Sequence, residues 1–274
     1  MTVSDDSLLD LKQKSKVAWA LGDYRKIATD SLPVSAHLIR STQVRPGESV
    51  LDVACGTGVT AITARRAGSN VTGVDLTPKL LEQAKEEEIL AEVEDIEWKK
   101  GDVEDLPFQD HSFDVVLSSF GHMFASRPNV AAKEIIRVTK KRGRIGFATW
   151  PPELAVGRIF ISIAKHISSP PPPPNILPSP LQWGIPELVQ QYLGNGVKNL
   201  YFERGTTNMY VLSPNHYWQH LSTKFGPLIQ AIQPFKNESA KVEELRCDFI
   251  QAITPYIRDN TLRLDYLLTV ATKA

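Results

Sequence analysis

The run Val50-Leu51-Asp52-Val53-Ala54-Cys55-Gly56-Thr57-Gly58 constrains this chain more than any other stretch. Residues 50–53 are apolar apart from one acid, a turn of small residues follows, and Thr60 to Ala67 reads as a helix. Strand, glycine turn and helix in that order build a cradle. The helix N-terminus offers free backbone N–H groups, and the glycines let a ligand approach the backbone closely. Open α/β sheets bind ligands at such turns, beyond the carboxyl ends of their strands.

Two ligands compete for this cradle. Gly56-x-Gly58-x-x-Ala61 matches the dinucleotide fingerprint, with Asp75 near its acidic position, and this favours a nicotinamide-dependent (NAD) oxidoreductase. Asp52 argues the other way, because an acid just before the turn repels a pyrophosphate and suits a cation. S-adenosylmethionine carries an ammonium on its amino-acid end and a sulfonium at the methyl donor.

Three spaced motifs, VLDVACGTG at residue 50, VTGVD ending at Asp75 and GDVEDLPF from Gly101, resemble the class I S-adenosylmethionine-dependent methyltransferases. The branch most resembled is the ubiquinone/menaquinone biosynthesis (type 11) one, from about Val50 to Trp150. The resemblance implies an α/β fold with a seven-stranded Rossmann-like sheet, mostly parallel with an antiparallel last strand and helices on both faces. It implies a helical cap over residues 1–45, a cofactor-binding core over 46–150, and a cover with inserted helices and the last two strands over 151–274. S-adenosyl-L-methionine is the implied cofactor and S-adenosyl-L-homocysteine the product. The implied cofactor residues are Tyr24, Asp52, Ala54, Cys55, Gly56, Thr57, Gly58, Asp75, Leu76, Asp102, Val103, Ser119 and Phe120. Asp75 would take the ribose hydroxyls, Asp102 the adenine amino group, and the Val103 N–H the ring. Tyr24 and Ile27 match cofactor-facing positions, although Trp19 and Tyr24 serve equally well to pack the N-terminal helix onto the sheet.

Along the chain, residues 4–21 read as a helix with Leu8, Leu11, Ser15 and Ala18 on one face. Ser31 and Thr77 are candidate helix caps, Thr77 with Pro78 at the first helical position. Glu104 and Asp105 read as surface acids, and Asp114 as a structural acid between turns. Lys140-Lys141-Arg142-Gly143-Arg144 reads as a turn into a strand over residues 145–149. Its charge has a bland explanation near a helix C-terminus. Residues 151–184, with five consecutive prolines at Pro170 to Pro174, read as a cover on the acceptor side. A strand is expected within 198–212, helices over 214–232 and 239–256, and a last strand over 262–272.

Methyl transfer from a sulfonium needs alignment and a dry pocket more than a catalytic triad. His122 is the histidine nearest the cradle in this reading, either as a general base or as a packed loop residue. Phe124, Trp150, Trp183 and Trp218 are the expected acceptor-pocket residues, the last with Tyr217 as a neighbour. The Asn-Pro-Pro-Tyr signature of amide and adenine N-methylation is absent. Net charge is zero, from 31 basic and 31 acidic residues, which is poor footing for DNA or a membrane surface. A macromolecular acceptor, RNA or protein, is therefore the alternative to a small molecule. The two cysteines, Cys55 and Cys247, give neither a disulfide framework nor zinc spacing, and no metal is expected. No apolar run is long enough to span a bilayer, and the mixed-charge N-terminus lacks a signal-peptide core, so a cytoplasmic protein is expected.

Overall fold

The computed structural model describes residues 5–167 and 179–274. Three helices come first: α1 (Asp5–Ala20), α2 (Arg25–Ala28) and α3 (Leu32–Ser41). Alternation follows, with β1 (Ser49–Val53), α4 (Val59–Arg66), β2 (Asn70–Asp75), α5 (Pro78–Leu90), β3 (Ile96–Lys100), β4 (Phe113–Ser119), α6 (Pro128–Val138) and β5 (Thr139–Thr149). Three further helices, α7 (Ala155–Ile167), α8 (Ser179–Gln182) and α9 (Pro186–Leu193), lead to the long β6 (Val197–Tyr210). The chain closes with α10 (Pro214–Lys224), α11 (Gly226–Ile232), α12 (Ser239–Ile253), the short β7 (Ile257–Arg258) and β8 (Thr261–Lys273).

The strands pair in the order β3-β2-β1-β4-β5-β8-β6, with β7 turning back onto β8. Pairs from β3 through to β5 are parallel, and β8 runs antiparallel between β5 and β6. This is the expected sheet, with β7 as a two-residue addition. Asp259 and Asn260 both have positive φ, the geometry that a tight two-residue hairpin turn demands. Strand order reverses on either side of β1, so the crevice at its carboxyl end is the topological switch point.

Four of the five β1 residues are buried, as a parallel strand covered on both faces requires. Leu38 of α3, Leu51 of β1 and Leu117 of β4 are fully buried in the main core. Each contributes about 1.5–3 kcal/mol by leaving water. A second core, around Trp218, Leu228, Leu245 and Phe249, packs α7, α10, α11 and α12 together. Its base is an overhang of the sheet. Leu267 pairs with Thr149 at the end of β5, so residues 261–266 of β8 run on past the parallel strands with β6 alongside.

Several sequence expectations change here. The run Lys140 to Arg144 lies inside β5 and not in a turn; Arg142 takes φ +63°, and the pairing register shifts nearby. Two of its four charges are paired, Lys140 with Asp114 at 2.8 Å and Arg144 with Glu48, and the other two are exposed. Asp114 also accepts the Ser49 N–H at 3.0 Å. Ser31 and Thr77 make no side-chain cap; Asp75 accepts the Thr77 N–H instead. On α1, Leu11 is exposed, and Lys12, Ser15 and Trp19 face inward. The proline run lies outside the described residues. The end of the expected cover, Leu181 to Trp183, returns to the main core, where the Thr149 hydroxyl donates to the Trp183 carbonyl. No helix among the described residues is long and apolar enough to cross a membrane.

Candidate active site

At the switch point the strand ends open into a cleft of about 860 Å³, part of it open to solvent. Ala54, Cys55 and Gly56 follow β1, Asp75 and Leu76 end β2, Asp102 and Val103 follow β3, and Ser119 and Phe120 end β4. Lys12, Ser15 and Trp19 of α1, with Tyr24 beyond it, cover them. The turn needs left-handed backbone, with Gly56 at φ +56° and Gly58 at φ +84°. Two non-glycine residues share that conformation at strand exits, Ala54 at φ +52° and Phe120 at φ +60°. Each stores roughly 1–3 kcal/mol of strain that its surroundings must hold. The two exit loops touch: a Cβ on Gly121 would stand 2.1 Å from the Ala54 carbonyl oxygen.

Asp75 fixes the turn. Its carboxylate accepts the Gly56 N–H at 2.9 Å and the Thr77 N–H at 2.8 Å. Burial raises its pKa, and these backbone donors pull it back. Tyr24 is pushed up to about 12 by burial and by the Asp75 charge. At the opposite rim Lys12 reaches Asp102 at 2.6 Å and Glu104 at 2.8 Å. Burial works against the Lys12 charge, but its hydrogen bonds to Asp102 and Glu104 outweigh this and raise its pKa. Glu104 is buried and not a surface acid; burial opposes its charge, yet Lys12 and Arg127 hold its pKa below the ordinary value. Asp105 is exposed, as expected.

A second pocket of about 770 Å³ adjoins the cleft, and Trp19, Tyr24, Phe120 and Phe124 line both. Its other walls are largely apolar, from Trp150, α7, the overhanging ends of β6 and β8, and α10. Ile27 lines this pocket and not the cleft.

Several candidate residues lie elsewhere. His122 is fully buried in the core, its ring 4.1 Å from that of Phe147 and 4.5 Å from that of Trp183. Neither ring nitrogen has a partner among the described residues, and burial lowers its pKa to about 3. It lines neither cavity, so the expected base is corrected to a packing residue. Trp183 sits in the same cluster, and Trp218 packs on Phe249 in the second core; neither lines the second pocket, whereas Tyr217 does. Asp52 points away from the cleft and accepts the Ala61 N–H at 2.9 Å, at the start of α4. Burial raises its pKa to about 8, the Ala61 hydrogen bond opposing and the Asp75 charge adding. A carboxyl group turned away from the cleft onto the start of α4 does not itself discriminate a sulfonium from a pyrophosphate. Thr57 is buried behind the turn, and Gly58 faces Trp98, whose ring a Cβ there would meet at 2.4 Å.

Comparison with known proteins decides the question. The structure of the YcgJ protein of Bacillus subtilis superposes with a TM-score of 0.57 at 20% identity, over 87% of this chain and 97% of that one, and shares the fold. An uncharacterized protein of Mycobacterium tuberculosis is 32% identical over 93% of this chain and 92% of its own length. A ubiquinone/menaquinone biosynthesis C-methyltransferase of Ruegeria sp. is 42% identical over 43% of this chain and 51% of its own length. The methyltransferase domain family matches residues 51–147. The chain is a class I S-adenosylmethionine-dependent methyltransferase of the type 11 branch. The cleft of this methyltransferase fits its cofactor. The Ser119 hydroxyl lines it, buried and without a partner among the described residues, and at Gly56 a Cβ would project towards the Tyr24 ring at 3.8 Å. Lys12, Ser15 and Glu104 are lining residues that the motifs did not reveal, because they lie outside the strand-end pattern or read as surface charges. The i, i+3, i+7 spacing of Lys12, Ser15 and Trp19 was the available signal, hidden by a more apolar face on the same helix.

Proposed function

We propose that this methyltransferase acts on a small, largely apolar or aromatic molecule seated in the second pocket. The observation that carries the reading is the shared wall: Trp19, Tyr24, Phe120 and Phe124 border both the cofactor cleft and the apolar pocket. S-adenosylmethionine, when bound, supplies a methyl group on a sulfonium that already favours in-line displacement. Asp75 takes the ribose hydroxyls with the lone pairs that Gly56 and Thr77 leave free. Asp102 and Val103 meet the adenine edge, with Lys12 holding the Asp102 carboxylate at the rim. Trp19 and Tyr24 exclude water from the boundary, and the aromatic faces align the acceptor.

A largely apolar pocket and zero net charge both disfavour RNA as the acceptor. The test is a screen of small acceptors with labelled methyl donor, products being identified by mass. Methylation of small apolar compounds, blocked by Phe160→Trp inside the pocket, is the expected result. Label transferred only to RNA or protein would overturn the assignment.

A further inference from the structure

The pocket beside the cofactor cleft is lined by a carboxylate with no hydrogen-bond or ion-pair partner among the described residues. Asp30 lies in the short turn Thr29–Ser31 between α2 and α3 and lines this pocket. Its backbone carbonyl receives the Thr207 hydroxyl, but no hydrogen bond or ion pair reaches its carboxylate among the described residues. Much of the rest of the lining is apolar, with Leu221 and Phe225 from α10 and its exit, Met209 from β6 and Leu264 from β8, and the Thr207 and Tyr217 hydroxyl groups stand among them. Burial raises its pKa, and His220 on α10 draws it back. The Tyr217 phenol, 5% exposed in the same pocket, has its pKa raised by burial and then by the Asp30 charge, which places the two groups together.

A half-buried carboxylate without a partner is tolerable while water solvates it. A ligand that displaces this water must return a hydrogen-bond donor, or leave a desolvated charge with nothing opposite it. The apolar walls select a hydrocarbon or aromatic body, and the carboxylate selects one polar feature on it.

We propose that Asp30 is the polar anchor of the acceptor pocket, and that the acceptor is an otherwise apolar molecule whose protic head group, an ammonium or a hydroxyl, donates to it. Acidic acceptors are excluded by like charge. The inference rests on the second pocket being the acceptor site.

The test uses four matched probes: 3-phenylpropylamine, 3-phenylpropanol, propylbenzene and 3-phenylpropionate. They are titrated into the full chain saturated with S-adenosylhomocysteine, and amide NMR reports both affinity and location. The amine and the alcohol should bind about tenfold or more tighter than the hydrocarbon, and the acid most weakly, because hydrogen bonds to a charged group exceed neutral ones. Asp30→Asn should abolish most of the amine's advantage while sparing the alcohol's, which separates an ammonium from a hydroxyl partner. Asp30→Leu should erase both advantages, with folding checked by thermal melting. Probes that bind in the pocket with equal affinity, or a ranking that survives both substitutions in folded protein, would overturn the anchor alone. Shifts confined to residues outside the pocket, or no binding by any probe, would overturn the acceptor-site reading and the anchor with it.

Discussion

Phe120 and Trp150 lie face to face, with ring centroids 3.8 Å apart and planes 1° from parallel. One follows β4 and the other β5, so the stack joins the exits of two neighbouring parallel strands. Phe120 holds its ring there at the cost of a left-handed backbone, a conformation that a bulky residue keeps only when its neighbours impose it. Its ring also meets the edge of Tyr266, 6.2 Å away. The partition between the two cavities is therefore braced from behind.

Removing the brace should affect the acceptor side first. Trp150→Ala takes away a stacking partner worth about 0.5–1.5 kcal/mol beyond its buried area, so the melting temperature should fall. S-adenosylhomocysteine affinity, measured by calorimetry, should stay within about threefold of wild type, a change under 1 kcal/mol. Turnover should drop more steeply. Equal losses on both sides would show that Trp150 supports the cofactor cleft as well.

Asp75 has two tasks that substitution can separate. Asp75→Ala strands two backbone N–H groups and should destabilise the fold by about 1–3 kcal/mol for each. Asp75→Asn retains an acceptor for one of them but loses the charge. Its affinity for S-adenosylhomocysteine should fall about tenfold or more, from a charge-assisted bond worth roughly 1.5–3 kcal/mol. Calorimetry showing unchanged affinity in the asparagine variant would assign the ribose to another group.

Two buried titrating groups bound the pH range of stability from opposite sides. His122, lowered to about 3 by burial, takes up its proton more readily in the unfolded chain, so its contribution is intact at neutral pH and fades as pH falls from about 6.5 towards 3. Asp52, raised to about 8, keeps its proton better in the fold, so its contribution is full below about 4 and fades as pH rises through 8. In urea denaturation His122→Leu should remove a loss of stability as pH falls from about 6.5 towards 3, and Asp52→Asn a loss as pH rises from about 4 to 8. Because His122 touches neither cavity, the leucine variant should also retain turnover near neutrality. A tenfold loss, about 1.4 kcal/mol at the barrier, in a folded variant would restore it to the mechanism.

Lys12 ties α1 to the cleft rim through Asp102 and Glu104. Lys12→Met keeps most of the hydrophobic stem and deletes the charge. Glu104 retains Arg127 at 2.7 Å, so global stability should change little. Hydrogen exchange along residues 9–20 should accelerate, and cofactor affinity should fall. Exchange at the wild-type rate would mean that the apolar contacts of Trp19 alone hold the helix down.

The strand-end part of the site was legible because each motif couples a β-branched run to a turn with special backbone needs. Gly56 and Asp75 sit in such turns, and local chemistry suffices to read them. The mostly parallel sheet with an antiparallel last strand followed from the same pattern together with the resemblance. What stayed hidden depends on where side chains point after distant elements pack. His122 follows β4 as a loop histidine should, yet its ring turns into the core between Phe147 and Trp183. Trp218 and Tyr217 are adjacent in sequence, but only Tyr217 among them lines the pocket. Asp52 keeps its place in the motif, while its surroundings make it a carboxyl group that caps a helix from inside. Glu104 looks like one of several surface acids until Lys12, over ninety positions earlier, arrives opposite it.

The four aromatic side chains common to both cavities have a kinetic corollary. Trp19 and Tyr24 belong to the segment clasped at the rim by Lys12 and at the far end of α1 by Lys79, which donates to the Ala20 carbonyl at 2.7 Å. While this segment is docked, it roofs one ligand and walls in the other. The shared wall sets one expectation: cofactor first, acceptor second. The expected traffic is sequential: cofactor in, acceptor in, methylated product out, spent cofactor last. Product-inhibition patterns should be competitive for S-adenosylhomocysteine against the methyl donor and mixed for every other pairing, with helix undocking as the clock of the cycle.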